Sequence, residues 1–96
     1  MEFEWDERKN RSNIKKHGFS FSFASRIFDE FTISRLDDRR DYGEVRKHTI
    51  GRVGGLLVIA VIHTDRADKI RIISARRADK DERKSYEKAL HKRADH

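Results

Sequence analysis

The chain has 96 residues, 23 of them Lys or Arg against 17 Asp or Glu, which leaves a formal net charge of +6. At this length one domain over residues 1–96 is expected, whose core removes roughly 60–65% of the unfolded surface from water. The sequence has no cysteine, which excludes disulfide staples, thiolate catalysis and cysteine-based zinc sites.

The N-terminus, Met1-Glu2-Phe3-Glu4-Trp5-Asp6, is charged from the start and carries no apolar leader. Within it Phe3-Glu4-Trp5 alternates like a short strand. Asp6 suits a helix N-cap, and the helix it opens is expected over Glu7–His17, with Gly18 as its left-handed stop. Ile14 is its one strong apolar residue, which predicts a surface helix with a narrow contact. A second helix is expected over Ser22–Asp29, where Phe23, Ala24, Ile27 and Phe28 share a face.

Phe31–Leu36 reads as a strand and Asp37–Gly43 as a charged loop. Val45–Arg52 and Leu56–His63 form an expected hairpin about Gly54-Gly55. Leu56–Ile62 is apolar without alternation, so it should be a central strand covered on both faces. That run of seven residues is the longest apolar stretch, well short of the ~20 a membrane span needs. A cytoplasmic protein with no membrane contact is therefore expected. Thr64–Asp68 is a further turn, Lys69–Arg77 a strand. Asp79 and Glu82 stand at capping-box spacing at the head of a last helix whose stripe is Tyr86, Ala89 and Leu90. Strands and helices are segregated, so the fold class is α+β: an antiparallel sheet with two N-terminal helices and one C-terminal helix.

A basic surface attracts RNA, DNA or an acidic protein, although a soluble protein with a heavily charged exterior has the same composition. Arg71-Ile72-Ile73-Ser74-Ala75-Arg76-Arg77 is the most informative segment. Strict alternation puts Ile72, Ser74 and Arg76 on one face and Arg71, Ile73, Ala75 and Arg77 on the other. A guanidinium then lies on each side of the strand end, next to the free N–H groups of a helix start, a combination suited to phosphate. Ordinary surface ion pairs from Arg76 and Arg77 to Asp79, Asp81 or Glu82 fit the same spacing.

Histidine is the natural acid or base near neutral pH. Of five histidines, His17 closes the first helix and His63 ends the buried strand; His48 sits in the hairpin, and His91 and His96 near the C-terminus. None are paired at helical metal-site spacing, so no metal site is expected. Each also has a plain structural reading, His17 as a helix C-terminal cation and His63 as a strand-end residue bonded to backbone. Tyr86 suits a general acid, a base-stacking surface or a core anchor.

Over nearly its whole length the chain resembles the BrnT toxin family. The likeness starts at Trp5-Asp6-Glu7 with Lys9, Asn13 and Lys16-His17-Gly18. It continues through Phe21, Ala24, Phe28-Asp29, Glu44, Arg46 and Ile50-Gly51. It is strongest at Arg71 to Ala78, followed by Glu82 and Tyr86. Phe23 departs from the pattern, where members often carry an acidic residue; if exposed, it would belong to a partner surface. The tail after Glu87 lies outside the motif.

The resemblance implies a RelE-like fold and an endoribonuclease that stops translation. It also implies a BrnA-type ribbon-helix-helix antitoxin, and contact with operator DNA indirectly through the toxin–antitoxin complex, within which a dimer is compatible. The expected chemistry is metal-independent and needs no cofactor. The RNA 2′-hydroxyl loses a proton and attacks the adjacent phosphorus while fixed cations hold the added charge. On that reading Arg76 stabilises the phosphorane, with Arg77, Arg52 and Arg71 as further RNA contacts and Lys16 on the RNA backbone. His17 is the first proton-transfer candidate, His63 the second, and Tyr86 an acid or stacking group. The alternative is a basic nucleic-acid- or protein-binding module without chemistry.

Overall fold

A computed structural model describes residues 1–94; Asp95 and His96 lie outside the described residues. The elements are β1 (Glu2–Trp5), α1 (Glu7–His17), α2 (Phe21–Ala24) running into a 3-10 turn (Ser25–Asp29), β2 (Thr32–Leu36), β3 (Lys47–Val53), β4 (Leu57–Arg66), β5 (Lys69–Arg77) and α3 (Lys80–Ala94). The five strands form one sheet in the order β1-β5-β4-β3-β2. Every pairing is antiparallel except β1 with β5, which is parallel. The α+β architecture is as expected, and the parallel edge is accommodated because almost the whole chain intervenes between β1 and β5.

Local signals set α1 at both ends. Asp6 Oδ1 accepts from the N–H of Arg8 at 2.8 Å, and the Gly18 N–H donates to Ile14 O at 2.8 Å with φ +85°. The inward contact is not made by Ile14, which is exposed. It is made by two buried asparagines one turn apart. Asn10 Oδ1 accepts from the Phe21 N–H at 2.8 Å, which ties α1 to α2. Asn13 Oδ1 accepts from the Ala75 N–H at 3.2 Å, and its amide donates to Phe19 O at 3.2 Å. β1 pairs with β5 only as far as Ile72. Beyond that point Asn13 supplies an acceptor that a neighbouring strand would otherwise provide.

The second expected helix is broken. Ser20 Oγ caps the Phe23 N–H at 3.0 Å, and Ser25 Oγ donates to Ser22 O at 2.7 Å. The Ser20 cap starts the helix, whereas the Ser25 bond competes with its ladder, and the segment tightens into the 3-10 turn.

β4 is the central strand. Ile59 and Val61 enter one core with Phe19, Phe21, Ala24, Ile27, Ile72 and Ala75; Val58 and Ala60 enter a second with Ile50, Ala78 and Tyr86. The strand runs on to Arg66, past the expected turn at Thr64, while Leu56 stands in the hairpin turn, exposed.

β5 departs from strict alternation. His63 pairs with Ile72 but Ile62 pairs with Ser74, so Ile73 is a bulge residue. Ile72 and Ala75 therefore share the first core. Arg71 and Arg76 consequently emerge on the same side of the sheet, the side that carries α3, where alternation had separated them.

Candidate active site

β2, β3, the end of β5 and the first turns of α3 enclose a cleft of about 630 Å³. Its walls carry Arg35, Arg39, His48, Arg76, Asp37 and Glu82 among others. The β2–β3 register places Arg35 opposite His48. The strand end delivers Arg76 and the capping box delivers Glu82.

The capping box forms as expected. The Asp79 N–H donates to Glu82 Oε1 at 2.9 Å, and the Glu82 N–H donates to Asp79 Oδ1 at 2.8 Å. The same carboxylate receives the Arg76 guanidinium end-on, Nη1 to Oε1 at 2.6 Å and Nη2 to Oε2 at 3.0 Å. These bonds take up two of the helix-start N–H groups, so they are not free for phosphate. Burial would raise the Glu82 pKa, but Arg76 and the capping N–H prevail and hold it at about 2. Glu82 is therefore ionised at neutral pH.

His48 Nε2 lies 2.7 Å from Glu82 Oε2, off the line of a well-aimed N–H bond. Its Nδ1 faces Arg35 Nη2 at 3.4 Å. Burial pushes the His48 pKa below the ordinary histidine value; Glu82 acts upward and Arg35 downward against that. A neutral ring with its proton on Nε2 fits both neighbours: Glu82 can only accept and Arg35 can only donate. The lone pair on Nδ1 then faces Arg35. Arg35 has no carboxylate partner among the described residues, whereas Arg39 is clamped to Asp37 at 2.7 and 3.0 Å. That clamp holds Asp37 at about 2.

The structure gathers few of the sequence candidates. Arg76 lines the cleft, with its charge engaged by Glu82. His17 and Lys16, at the end of α1, do not line it. Arg71 faces Glu4 at 3.5 Å across the β1–β5 pair, and Arg77 is exposed outside the cleft. Arg52 and Tyr86 line a second hollow further along α3. Tyr86 is fully buried, its hydroxyl donating to Phe31 O at 2.9 Å, and burial raises its pKa. His63 is 2% exposed. Its Nε2 meets Thr49 Oγ1 at 2.7 Å and its Nδ1 meets Asp65 Oδ1 at 2.9 Å. Burial lowers its pKa against the upward pull of Asp65.

His48 and Arg35 carried no local signal. The sequence placed His48 in a hairpin, and a correct β2–β3 register was needed to set it against Arg35. Among the described residues no group of three or more His, Asp or Glu side chains is arranged to hold a metal ion, and no helix is long and apolar enough to cross a membrane.

The model of the ribonuclease toxin BrnT, of type II toxin–antitoxin systems, matches residues 5–82. The chain belongs to the BrnT ribonuclease toxin family. The match runs from Trp5 to Glu82, and so includes every cleft residue named above. The fold is also similar to a crystal structure of the Brucella abortus ribonuclease toxin BrnT. The TM-score is 0.63 at 30% identity, over 83% of this chain and 99% of that one. A comparison with curated proteins finds no match. As a type II toxin family, BrnT implies an antitoxin partner.

Proposed function

We propose that this BrnT-family chain cleaves RNA by metal-independent attack of a 2′-hydroxyl on the neighbouring phosphate, and that the cleavage arrests translation. The carrying observation is His48, placed between Glu82 at 2.7 Å and Arg35 at 3.4 Å in a cleft that also holds Arg76. When the scissile phosphodiester enters, Arg35 turns its guanidinium onto it, because two non-bridging oxygens sharing a negative charge are a better acceptor than an imidazole nitrogen. Nδ1 is then free to take the 2′-hydroxyl proton.

The 2′-oxygen forms a bond to phosphorus, and the bond to the 5′-oxygen breaks, leaving a 2′,3′-cyclic phosphate. His48 returns its proton to the departing 5′-oxygen. Glu82 stabilises the imidazolium between these steps, as a carboxylate does behind a catalytic histidine. Arg76 holds Glu82 in place and, with its exposed edge, shares the phosphorane charge with Arg35. His48 thus takes the role the sequence offered to His17, His63 and Tyr86. His63 has both ring nitrogens bonded and Tyr86 has its hydroxyl bonded to backbone, which favours structural roles for both.

The partner is a BrnA-type ribbon-helix-helix antitoxin that covers the cleft and supplies most of the complex's contact with operator DNA. A complex that contains two toxin chains is compatible with this arrangement.

The decisive experiment incubates purified protein with RNA in excess chelator, beside His48→Ala, Arg35→Ala and Arg76→Ala. Cutting by the wild type, a loss of about 10²–10⁴-fold in His48→Ala, and no cutting at a site with deoxyribose before the scissile phosphate are the expected results. Cleavage that requires added metal, or a His48→Ala protein as active as the wild type, would reject the mechanism. Salt-sensitive RNA binding without products would make the chain a binding module.

A further inference from the structure

α3 lies over β2 and β3, and a second hollow of about 560 Å³ opens under its C-terminal half. It is lined by Asp29, Glu30, Phe31, Arg52, Tyr86, Leu90 and Arg93. The floor is shared with the cleft: Phe31, Ile33 and Arg35 succeed one another along one side of β2, as Arg52, Ile50 and His48 do along β3. Four residues of strand separate Arg52 from His48, about 13 Å. The eight residues of helix from Glu82 to Leu90 cover about 12 Å. A short single-stranded RNA segment crosses such a distance in a few nucleotides.

Neither arginine in this hollow has a carboxylate partner among the described residues, and Arg52 Nε is buried without an acceptor. That Nε is enclosed by protein, whereas the terminal nitrogens of both guanidiniums, with no carboxylate on them, are left to a ligand acceptor. Arg93 lies over the Phe31 ring, 5.0 Å from its centroid, with the Tyr86 ring 5.8 Å from Phe31 on centroids. The two rings are tilted by 46° and Tyr86 is buried beneath, so the surface offered to a base is the Arg93 guanidinium over Phe31, a cation–π pair on which a nucleobase can stack.

The charges narrow the ligand. A free phosphate would meet the carboxylates of Asp29 and Glu30, and a basic peptide would meet Arg52 and Arg93. A neutral, planar group with two acceptors on one edge and two donors on another suits both. Guanine has that pattern: O6 and N7 accept a guanidinium fork, while the N1–H and the N2 amino group donate together to one carboxylate. Adenine has a single exocyclic donor between its ring acceptors and cannot do both.

We propose that this hollow is a guanine subsite, which selects RNA by a guanosine a short distance along the strand from the cut. Arg52 reads O6 and N7, a carboxylate of Asp29 or Glu30 reads N1–H and the N2 amino group, and the Phe31–Arg93 pair takes the base face. The inference rests on the RNA-cleaving reading only for its biological use, since base binding can be measured without cleavage.

The test titrates the isotope-labelled full chain with GMP, IMP and AMP and follows the amide resonances. GMP should move those of Phe31, Arg52, Tyr86 and Arg93, and bind about tenfold more tightly than AMP, the discrimination of one good bidentate pair. IMP, without the N2 amino group, should fall between them. Arg52→Lys, which keeps the charge but removes the fork, and the pair Asp29→Asn with Glu30→Gln should abolish the preference while the spectra stay dispersed as in a folded chain.

Equal binding of GMP and AMP would overturn the subsite, as would shifts confined to Arg35, His48 and Arg76; the latter result would leave the cleavage site standing. Selective GMP shifts around Arg52 in a protein that cuts no RNA would keep the subsite and remove the ribonuclease reading. The nucleotide series uses unmodified protein, so it decides the matter even if a variant fails to fold.

Discussion

Glu82 accepts both terminal nitrogens of the Arg76 guanidinium, at 2.6 and 3.0 Å, while one of its oxygens also closes the helix cap on the Asp79 N–H at 2.9 Å. One carboxylate thus joins the last strand, the last helix and His48. Its geometry explains why Arg76 sits in the cleft with its charge largely spoken for.

Replacing Glu82 with Gln should destabilise the protein by about 1–2 kcal/mol at pH 7, because the pairing of its buried carboxylate with the half-exposed, solvent-screened Arg76 guanidinium is lost. The folded pKa of about 2 lies below the ordinary 4.5. Between those values the unfolded chain binds more protons than the folded one, so this stabilisation is complete above pH 4.5 and fades as pH falls toward 2. Urea unfolding of both proteins at several pH values should show the gap closing in acid; a gap independent of pH would refute the electrostatic account.

The acid limb of the RNA cleavage profile should report His48. Its lowered pKa keeps the ring neutral, and the base competent, at pH values below the ordinary histidine value of 6.5. Arg35→Ala removes a cation that depresses that pKa, so the limb should move to higher pH. Glu82→Gln removes an anion that raises it, and the limb should move lower. Identical limbs in all three proteins would mean that another group takes the proton.

Gly51 has no room for a side chain. A Cβ there would come within 2.6 Å of Ile27 Cβ and 3.0 Å of Thr32 Cγ2. Gly51→Ala should therefore lower stability by about 1–3 kcal/mol through overpacking between β3 and the 3-10 turn. A melting temperature equal to that of the wild type would show that the turn shifts freely.

Asn13→Ala should cost about 1–3 kcal/mol, since it strips the acceptor from the buried Ala75 N–H and the donor from Phe19 O. Hydrogen exchange at Ala75 should quicken more than at Ile59 in the middle of β4. Unchanged protection at Ala75 would mean that water or another group replaces the asparagine.

Much of the architecture was readable along the chain. The limits of α1 followed from Asp6 and Gly18, the reciprocal cap from Asp79 and Glu82, and the double burial of β4 from seven apolar residues without alternation. Each is decided within a few residues, by a side chain satisfying a nearby backbone group or by the period of apolar positions. The family resemblance lay in such local motifs as well.

Contacts between strands were a different matter. Which residue of β2 faces His48 depends on the register of a pair separated by a loop, and register is chosen by the packing of both sheet faces together. The bulge at Ile73, which turns Arg71 and Arg76 to one side, is likewise a compromise between β4 and β5 that neither strand shows alone. Local hydrogen bonding and periodicity therefore determined the elements, and the helix cap with them. Only the packed tertiary structure decided that Arg35, His48, Glu82 and Arg76 meet, because their encounter is the sum of many distant contacts.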